Sequence, residues 1–480
     1  MTTEANPLPV ADRQEAAAGP SWGALAVVLV GTFITVLDYF IVNVAIPAIQ
    51  SDLHASSAQS QGVIIGYGLA FTGGMITGGR LGDLYGRRRM YELGIAVFTV
   101  ASAACGFAPS AGFLIGARIV QGLAAALLVP QVLGILTSTY TGERRGRAFN
   151  VYGLTIGFAS VFGQLIGGVL ITVDIAGLGW RSIFLINIVV GAVAVVLTRR
   201  LVPESRGEGE ARLDVPGAIL VTAGLLAVTL PLIVGHEHNW PWWGWVSMAA
   251  SVPLLGGFVA QQRRLGNAGR APLIHLGLFR ERVFSVGLFA VLLYFMAMGS
   301  FFLVLALYLQ QGRGYSALES GLIFSALSVG YFLSSLRSGR LAQRLGRQLV
   351  ALGGIAVAVG YTLAGLTVSH IGISGGIGWL IPSLLVAGVG MGMVTGPLTN
   401  AVLTGVVPDH AAAASGALST MQEGGAALGV AVVGTVFYPA LTEGRLESYA
   451  HAFSLGVIPL VCFSVVVAVA VQFFPRPAKQ

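Results

Sequence analysis

Fourteen apolar runs, each about long enough to cross a bilayer, recur along the 480 residues of this chain, at about 22–48, 60–80, 90–108, 112–138, 148–172, 181–199, 215–235, 243–261, 284–309, 318–338, 348–369, 378–403, 412–438 and 452–474. A helix rises about 1.5 Å per residue, so roughly 20 apolar residues cross the hydrocarbon layer. Inside that layer every backbone N–H and C=O must be satisfied within the chain, so runs of this length are helices. The surrounding composition agrees. Charged residues make up 10% of the chain, against about 25% in soluble domains. Such a chain cannot clothe a soluble surface, and its mean hydropathy is +0.81. Its 67 glycines suit helices whose backbones approach closely in lipid. The expected fold class is an all-α polytopic membrane protein with 14 transmembrane helices.

The net charge of +7 sits in short loops rather than on one surface, so the excess of arginine on cytoplasmic loops explains it and nucleic-acid binding does not. One set of loops carries Arg87, Arg88 and Arg89; Arg144, Arg145 and Arg147; Arg199, Arg200, Arg206 and Arg212; Arg263, Arg264, Arg270, Arg280 and Arg282; Arg344 and Arg347; and Arg476 with Lys479. The opposite loops offer little beyond Arg181, Arg313 and Arg445. Both termini are therefore expected in the cytoplasm of a bacterial cell, with an even number of spans, which fourteen and twelve both satisfy. Residues 1–20 read as a disordered cytoplasmic tail with no cleavable signal peptide. Cys105 and Cys462 both fall in apolar runs and imply neither a disulfide framework nor a metal site. No phosphate-binding Gly-x-x-x-x-Gly-Lys-Ser/Thr loop is present and the only lysine is Lys479. An ATPase is excluded, no enzyme chemistry or cofactor is expected, and the energy for any transport comes from an ion gradient or from the substrate's own.

Between the second and third runs lies Gly78-Gly79-Arg80-Leu81-Gly82-Asp83-Leu84-Tyr85-Gly86-Arg87-Arg88-Arg89. Arginine alone would hold this loop inside, and for Arg88 and Arg89 that suffices; an acid is not needed for it. Asp83 therefore reads as a latch that caps a facing helix N-terminus or pairs with a neighbouring arginine. Gly79, Gly82 and Gly86 permit close approach and a tight turn, and Arg80 and Arg87 complete the charged segment. The segment has an echo 260 residues later, Gly339-Arg340-Leu341-Ala342-Gln343-Arg344-Leu345-Gly346-Arg347. A duplicated bundle separated by a spacer is a common transporter plan. The expected organisation is a tail (1–20), a six-helix bundle (21–200), a linker with two extra helices (201–281), a second six-helix bundle (282–475) and a short cytoplasmic tail (476–480). His236 and His238 in the outer loop of the linker read as part of an aromatic interfacial loop rather than as metal ligands.

Ionisable residues inside spans cost roughly 2.5–3.5 kcal/mol on insertion scales and are functional candidates by default. Three stand out: Asp38, Arg118 and Glu423. Counted from the outer ends of their spans, Asp38 and Arg118 differ in depth by only about 5 Å, so an ion pair fits; it serves function or merely satisfies two buried charges. Gln121, Gly122 and Ala125 share the face of Arg118, a polar and small stripe that turns away from lipid. Gly416, Thr420, Ala427 and Gly434 share the face of Glu423, which has no evident arginine at its depth. Glu423 is then a proton carrier or the partner of a cationic substrate, or else a protonated structural group. In the fifth span Gly153, Gly157, Gly163, Gln164, Gly167 and Gly168 fall on one arc of about 140°. This is a packing seam, expected against the other half, that either seals a path or is generic helix packing.

These segments resemble the major facilitator superfamily and, within it, the fourteen-span drug:proton antiporters. The 78–89 segment is similar to the superfamily's loop signature, Leu37-Asp38 with Val42-Asn43-Val44-Ala45-Ile46-Pro47 to the group's first-span signature, and Arg118-Ile119-Val120-Gln121-Gly122 to its fourth. Gly179-Trp180-Arg181-Ser182-Ile183-Phe184-Leu185-Ile186-Asn187, Tyr308-Leu309-Gln310-Gln311 and Gly424-Gly425-Ala426-Ala427-Leu428-Gly429 also fit. Two departures stand beside them: Gln164 follows Gly163 where the group has a proline between glycines, and Gln343 replaces the acid of the second loop copy. The resemblance implies two six-helix bundles working by alternating access, with coupling at Asp38, Arg118 and Glu423. It also implies a substrate cavity that includes Asn43, Gln121, Tyr308 and Gln311. The implied activity is export of amphiphilic drugs or antibiotics in exchange for protons, by a monomer in the cytoplasmic membrane. The alternatives are a facilitator importing a small nutrient or ion, and a non-transporting sensory or structural membrane protein.

Overall fold

The computed structural model describes residues 22–206, 213–234, 241–270, 272–404, 406–407, 411–441 and 445–474. The expected tails, His236 and His238, and the side chains of Asn43 and Gln164 lie outside the described set. Among the described residues each apolar run falls in one long helix: α1 (Trp22–Leu53), α2 (Ser57–Tyr85), α3 (Arg87–Gly106), α4 (Ala111–Thr139), α5 (Gly142–Val173), α6 (Ser182–Leu201), α7 (Val215–Val234), α8 (Trp242–Asn267), α9 (Arg282–Leu307), α10 (Ala317–Leu345), α11 (Arg347–Ile371), α12 (Ile381–Leu403), α13 (Ala411–Phe437) and α14 (Ser448–Ala470). Twelve of these segments are apolar and long enough to cross a membrane. α3 is not among them, since it opens on Arg87-Arg88-Arg89; α5 opens on Arg144, Arg145 and Arg147, after which residues 156–173 carry no charge. The helices overrun the apolar runs; α1, with 32 residues, is about 48 Å long.

Helix ends follow local chemistry. Ser56 and Ser316 each cap the next helix in a reciprocal box with Gln59 and Glu319. Gly86 turns the chain between α2 and α3 at φ 105°, a conformation that favours glycine. A Cβ there would sit 2.7 Å from the Glu204 carboxylate. α9 runs on into one wide turn, Tyr308–Gly312.

Two sets of helices pack among themselves. In the first, α2 lies on α4, α3 on α4 and α6, and α1 on α5; in the second, α10 lies on α12, α11 on α12 and α14, and α9 on α13 and α14. The sets meet through α2 against α13 and α5 against α10. The loop repeat relates α2 to α10, so the two contacts are the same pairing seen twice. α7 and α8 form a hairpin packed on α2 and α13, where the Thr222 hydroxyl donates to the Gly73 carbonyl at 2.9 Å.

The halves close on each other at the arginine-rich end. Gly416 of α13 sits where an added Cβ would be 2.8 Å from the Met75 carbonyl of α2. On the other seam Tyr331 donates to the Gly153 carbonyl and the Ser338 hydroxyl reaches Asn150 at 3.1 Å. Along α13, residues 413–420 are buried, but Glu423, Gly424 and residues 426–428 are partly open. Along α2, Phe71, Thr72, Met75, Ile76, Arg80 and Asp83 are buried, whereas Ile64, Ile65, Gly66 and residues 68–70 are partly open. The seam therefore loosens toward the opposite end, where Phe40 and Phe302 face each other across the halves at 6.2 Å.

Candidate functional site

Asp38 and Arg118 form an ion pair inside the first half, both at 0% exposure. Two charges out of water repay their desolvation only with good geometry and with their remaining valences filled. The fold supplies both. From α4, Gln121 donates to Asp38 Oδ1 at 2.9 Å and accepts from Arg118 at 2.9 Å. From α6, Asn187 donates to Asp38 at 3.3 Å and to Ser102 Oγ at 3.0 Å. Arg118 Nε donates to the Val63 carbonyl at 3.1 Å, and the Tyr67 ring lies 4.3 Å from the guanidinium. The depth arithmetic that allowed this pair is matched by the structure, and Gln121 belongs to the pair rather than to an open cavity. Asn187 and Ser102 were not singled out from sequence. The signal for Asn187 was present, a polar side chain well inside the sixth apolar run. For Ser102, one hydroxyl in a helix of small residues carried none.

Glu423 is placed differently. It lies seven residues past Gly416, so within about 20° of the face that meets α2, and about 18 Å along α13 from the arginine-rich end. It is partly exposed and makes no hydrogen bond or ion pair among the described residues. Its charge reaches the hydroxyls of Tyr39, Tyr67 and Tyr152, which come from α1, α2 and α5 of the other half. Tyr39 is itself exposed, and its ring stands 6.2 Å from that of Tyr67. The carboxyl thus lies just past the fully buried part of the seam, within electrostatic reach of tyrosines from the other half. Tyr67 stands between it and the Asp38–Arg118 pair.

At the arginine-rich end Asp83 makes both contacts that its chemistry suggested. Oδ1 accepts from Arg87 Nη2 at 2.7 Å, and Oδ2 accepts from the Ala413 N–H at 2.9 Å, in the first turn of α13. A carboxylate there satisfies an orphan N–H and faces the positive end of the helix dipole. Arg80 and Arg87 are buried with it. Gly82 lies directly against Gln131 of α4 and Gly79 is buried beside it. The Arg88 guanidinium stands 3.8 Å from Glu204, whose carboxylate accepts from the Arg88 backbone N–H at 3.1 Å and so caps α3. Glu204 follows α6 and had no sequence signal, because its target lies more than a hundred residues earlier.

Other expected residues separate. Tyr308 is fully buried in the second half, with its hydroxyl on the Gly372 carbonyl and its ring packed against Phe453. Gln311 is exposed and accepts from Tyr449 at 2.9 Å. In this conformation neither lines the space around Glu423; both brace the C-terminal end of α9. The glycine seam also divides. Gly153 and Gly157 pack on Tyr331 of the other half, but Gly163 and Gly167 pack on Leu37, Phe40 and Ile41 of α1, and no side chain or backbone crowds Gly168. The arc is real as a helix face, yet only its inner part meets the other half.

The profile described as Major Facilitator Superfamily matches residues 28–430. A probable actinorhodin transporter from Streptomyces coelicolor is 38% identical over 442 residues, which are 92% of this chain and 75% of that protein. A cephamycin export protein from Amycolatopsis lactamdurans is 34% identical, with 95% of this chain and 93% of that protein covered. A tetracenomycin C resistance and export protein from Streptomyces glaucescens is 31% identical over 90% of this chain and 79% of its own length. Among solved structures, the proton:xylose symporter bound to a bromodeoxyglucose aligns with a TM-score of 0.64 at 14% identity, covering 93% of this chain and 94% of that one.

Proposed function

The chain belongs to the Major Facilitator Superfamily, and from that premise we propose that it is a proton-coupled antiporter that exports amphiphilic, antibiotic-like organic molecules across the cytoplasmic membrane. The relatives' own substrates support the export direction and the cargo class. The arginine-rich end faces the cytoplasm on this reading, both termini lie there, and the conformation described is closed inward and open outward.

The observation that carries the proposal is the position of Glu423: a carboxyl without a hydrogen-bond or ion-pair partner among the described residues, on the face shared by the two halves, just past the fully buried part of the seam. The cycle follows from that placement. Cargo enters from the cytoplasm or the inner leaflet while the carboxyl is ionised, and the loaded halves rock about the α2–α13 and α5–α10 contacts. A proton from outside then neutralises the carboxyl, weakens its hold on cargo, and allows the empty protein to reset. One charge moving down 100 mV supplies about 2.3 kcal/mol, roughly a fifty-fold concentration ratio. Asp38 and Arg118, sealed in the first half, hold that half together as it rocks.

The test is transport in everted membrane vesicles carrying the chain, energised by a proton gradient and offered a panel of fluorescent amphiphiles. Accumulation that collapses with a protonophore is expected. Concentrative loading of intact cells instead would identify an importer.

A further inference from the structure

We propose that Arg145 is a second gate residue, which pins the C-terminus of α12 from the opposite half as Asp83 pins the N-terminus of α13. The inference rests on the alternating-access reading above. Arg145 Nη2 donates to the Leu403 carbonyl at 2.6 Å, and Leu403 is the last residue of α12. The last carbonyls of a helix lack intrahelical donors and carry the negative end of its dipole. A guanidinium supplies the matching charge and a charge-assisted hydrogen bond. Eight residues on from Leu403, α13 begins, and its Ala413 N–H is held by Asp83. The junction between α12 and α13 is therefore gripped at both helix ends by first-half side chains of the correct opposite signs.

The setting of Arg145 fits that role. Its guanidinium lies 5.8 Å from the Phe149 ring one turn further along α5. Phe149 and Asn150 form the surface against which Gly396 of α12 closes, with only 2.8 Å between the Phe149 carbonyl and a Cβ added at Gly396. Arg145 is partly buried, whereas its neighbour Arg144 is exposed. The loop repeat does not generate this contact, because no copy of the repeated segment contains Arg145. Opening the inner side separates α5 from α12 and breaks the bond, so the arginine stabilises the inward-closed state selectively.

The experiment uses the full chain in everted vesicles with Cys462→Ser, leaving Cys105 buried, and Met75→Cys as reporter on α2 at the α13 seam, a position 1% exposed. Reaction with a membrane-impermeant maleimide reads how often the inner side opens. Asp83→Asn is the positive control and Arg144→Gln the charge-matched control. Arg145→Gln is expected to raise the labelling rate about five- to tenfold at unchanged protein level and melting temperature, by removing one charge-assisted bond present in a single state. Arg145→Lys is expected to restore most of the wild-type rate. Labelling of Arg145→Gln at the wild-type rate, while Asp83→Asn accelerates it, overturns the proposal. So does equal acceleration by Arg144→Gln. Failure of Asp83→Asn and Arg145→Gln alike to open the face removes the gate reading and this proposal with it.

Discussion

Asp38 and Glu423 are both carboxyls at mid-depth in apolar helices, and the protein treats them in opposite ways. Asp38 is enclosed, with Arg118, Gln121 and Asn187 all donating to it. Glu423 has no hydrogen-bond or ion-pair partner among the described residues, on the face where the two halves meet. A buried network of several donors on one carboxylate is rigid, and its loss is costly. An unsatisfied carboxyl is poised to exchange partners, whether proton or cargo. The difference teaches that membrane depth alone does not define a coupling site; the state of the partners does.

The largest effect should come from breaking the enclosed site. Arg118→Leu leaves a buried carboxylate without its cation, a change that costs about 3–5 kcal/mol. Thermal unfolding in detergent should show a large drop in melting temperature and little protein in the membrane. Replacing both members, Asp38→Leu with Arg118→Met, should recover much of that loss. Equal damage from the single and double variants would mean that the pair is not the source. At the other site, Glu423→Gln should leave the melting temperature nearly unchanged, within about 0.5 kcal/mol, while abolishing gradient-driven export. If both sites lose stability alike, the contrast drawn here is void.

Asp83→Asn should lose about 1 kcal/mol at the cap of α13 and a further amount by leaving the buried Arg87 without its carboxylate, seen as faster opening of the inner side. The smallest effect concerns the outer rim, where Arg181 and the Trp180 indole, at 3.0 Å, donate to Asp52. These donors hold the Asp52 carboxyl below its ordinary range. A depressed carboxylate stabilises the fold above its unfolded pKa, near 3.9, and loses that contribution as pH falls through the folded value. A modest loss of stability confined to pH below about 4 is expected, and Arg181→Gln should remove it. Because the pair is largely exposed, the change in melting temperature is expected to be small.

Much of the architecture was legible because hydrophobic length is a local property. The fourteen runs map one to one onto helices among the described residues, and α3 falls below spanning apolarity for a reason visible in its first turn. The Asp38–Arg118 pair was legible too, since depth can be counted along each helix. What the sequence left hidden were partners chosen by tertiary packing. Asn187 reaches Asp38 from 149 residues away, and Arg145 reaches Leu403 from 258. Tyr308 and Gln311 show the converse: a recognisable segment fixed their helix, but the wide turn at Tyr308–Gly312 directs them to the outer brace instead of the central space. The glycine arc of α5 was legible in part: Gly153 and Gly157 meet the other half as expected, but a face defined on one helix says nothing about when a neighbour leaves it.

The central claim is that Glu423 links proton movement to cargo movement while Asp38 holds its own half together. Purified protein in sealed proteoliposomes permits both exchange of labelled cargo across the membrane at zero gradient and cargo-driven proton flux to be read in one preparation. For Glu423→Gln, exchange should persist near the wild-type rate while the proton signal and gradient-driven accumulation vanish. A variant that still moves protons with cargo at the wild-type ratio would contradict the account.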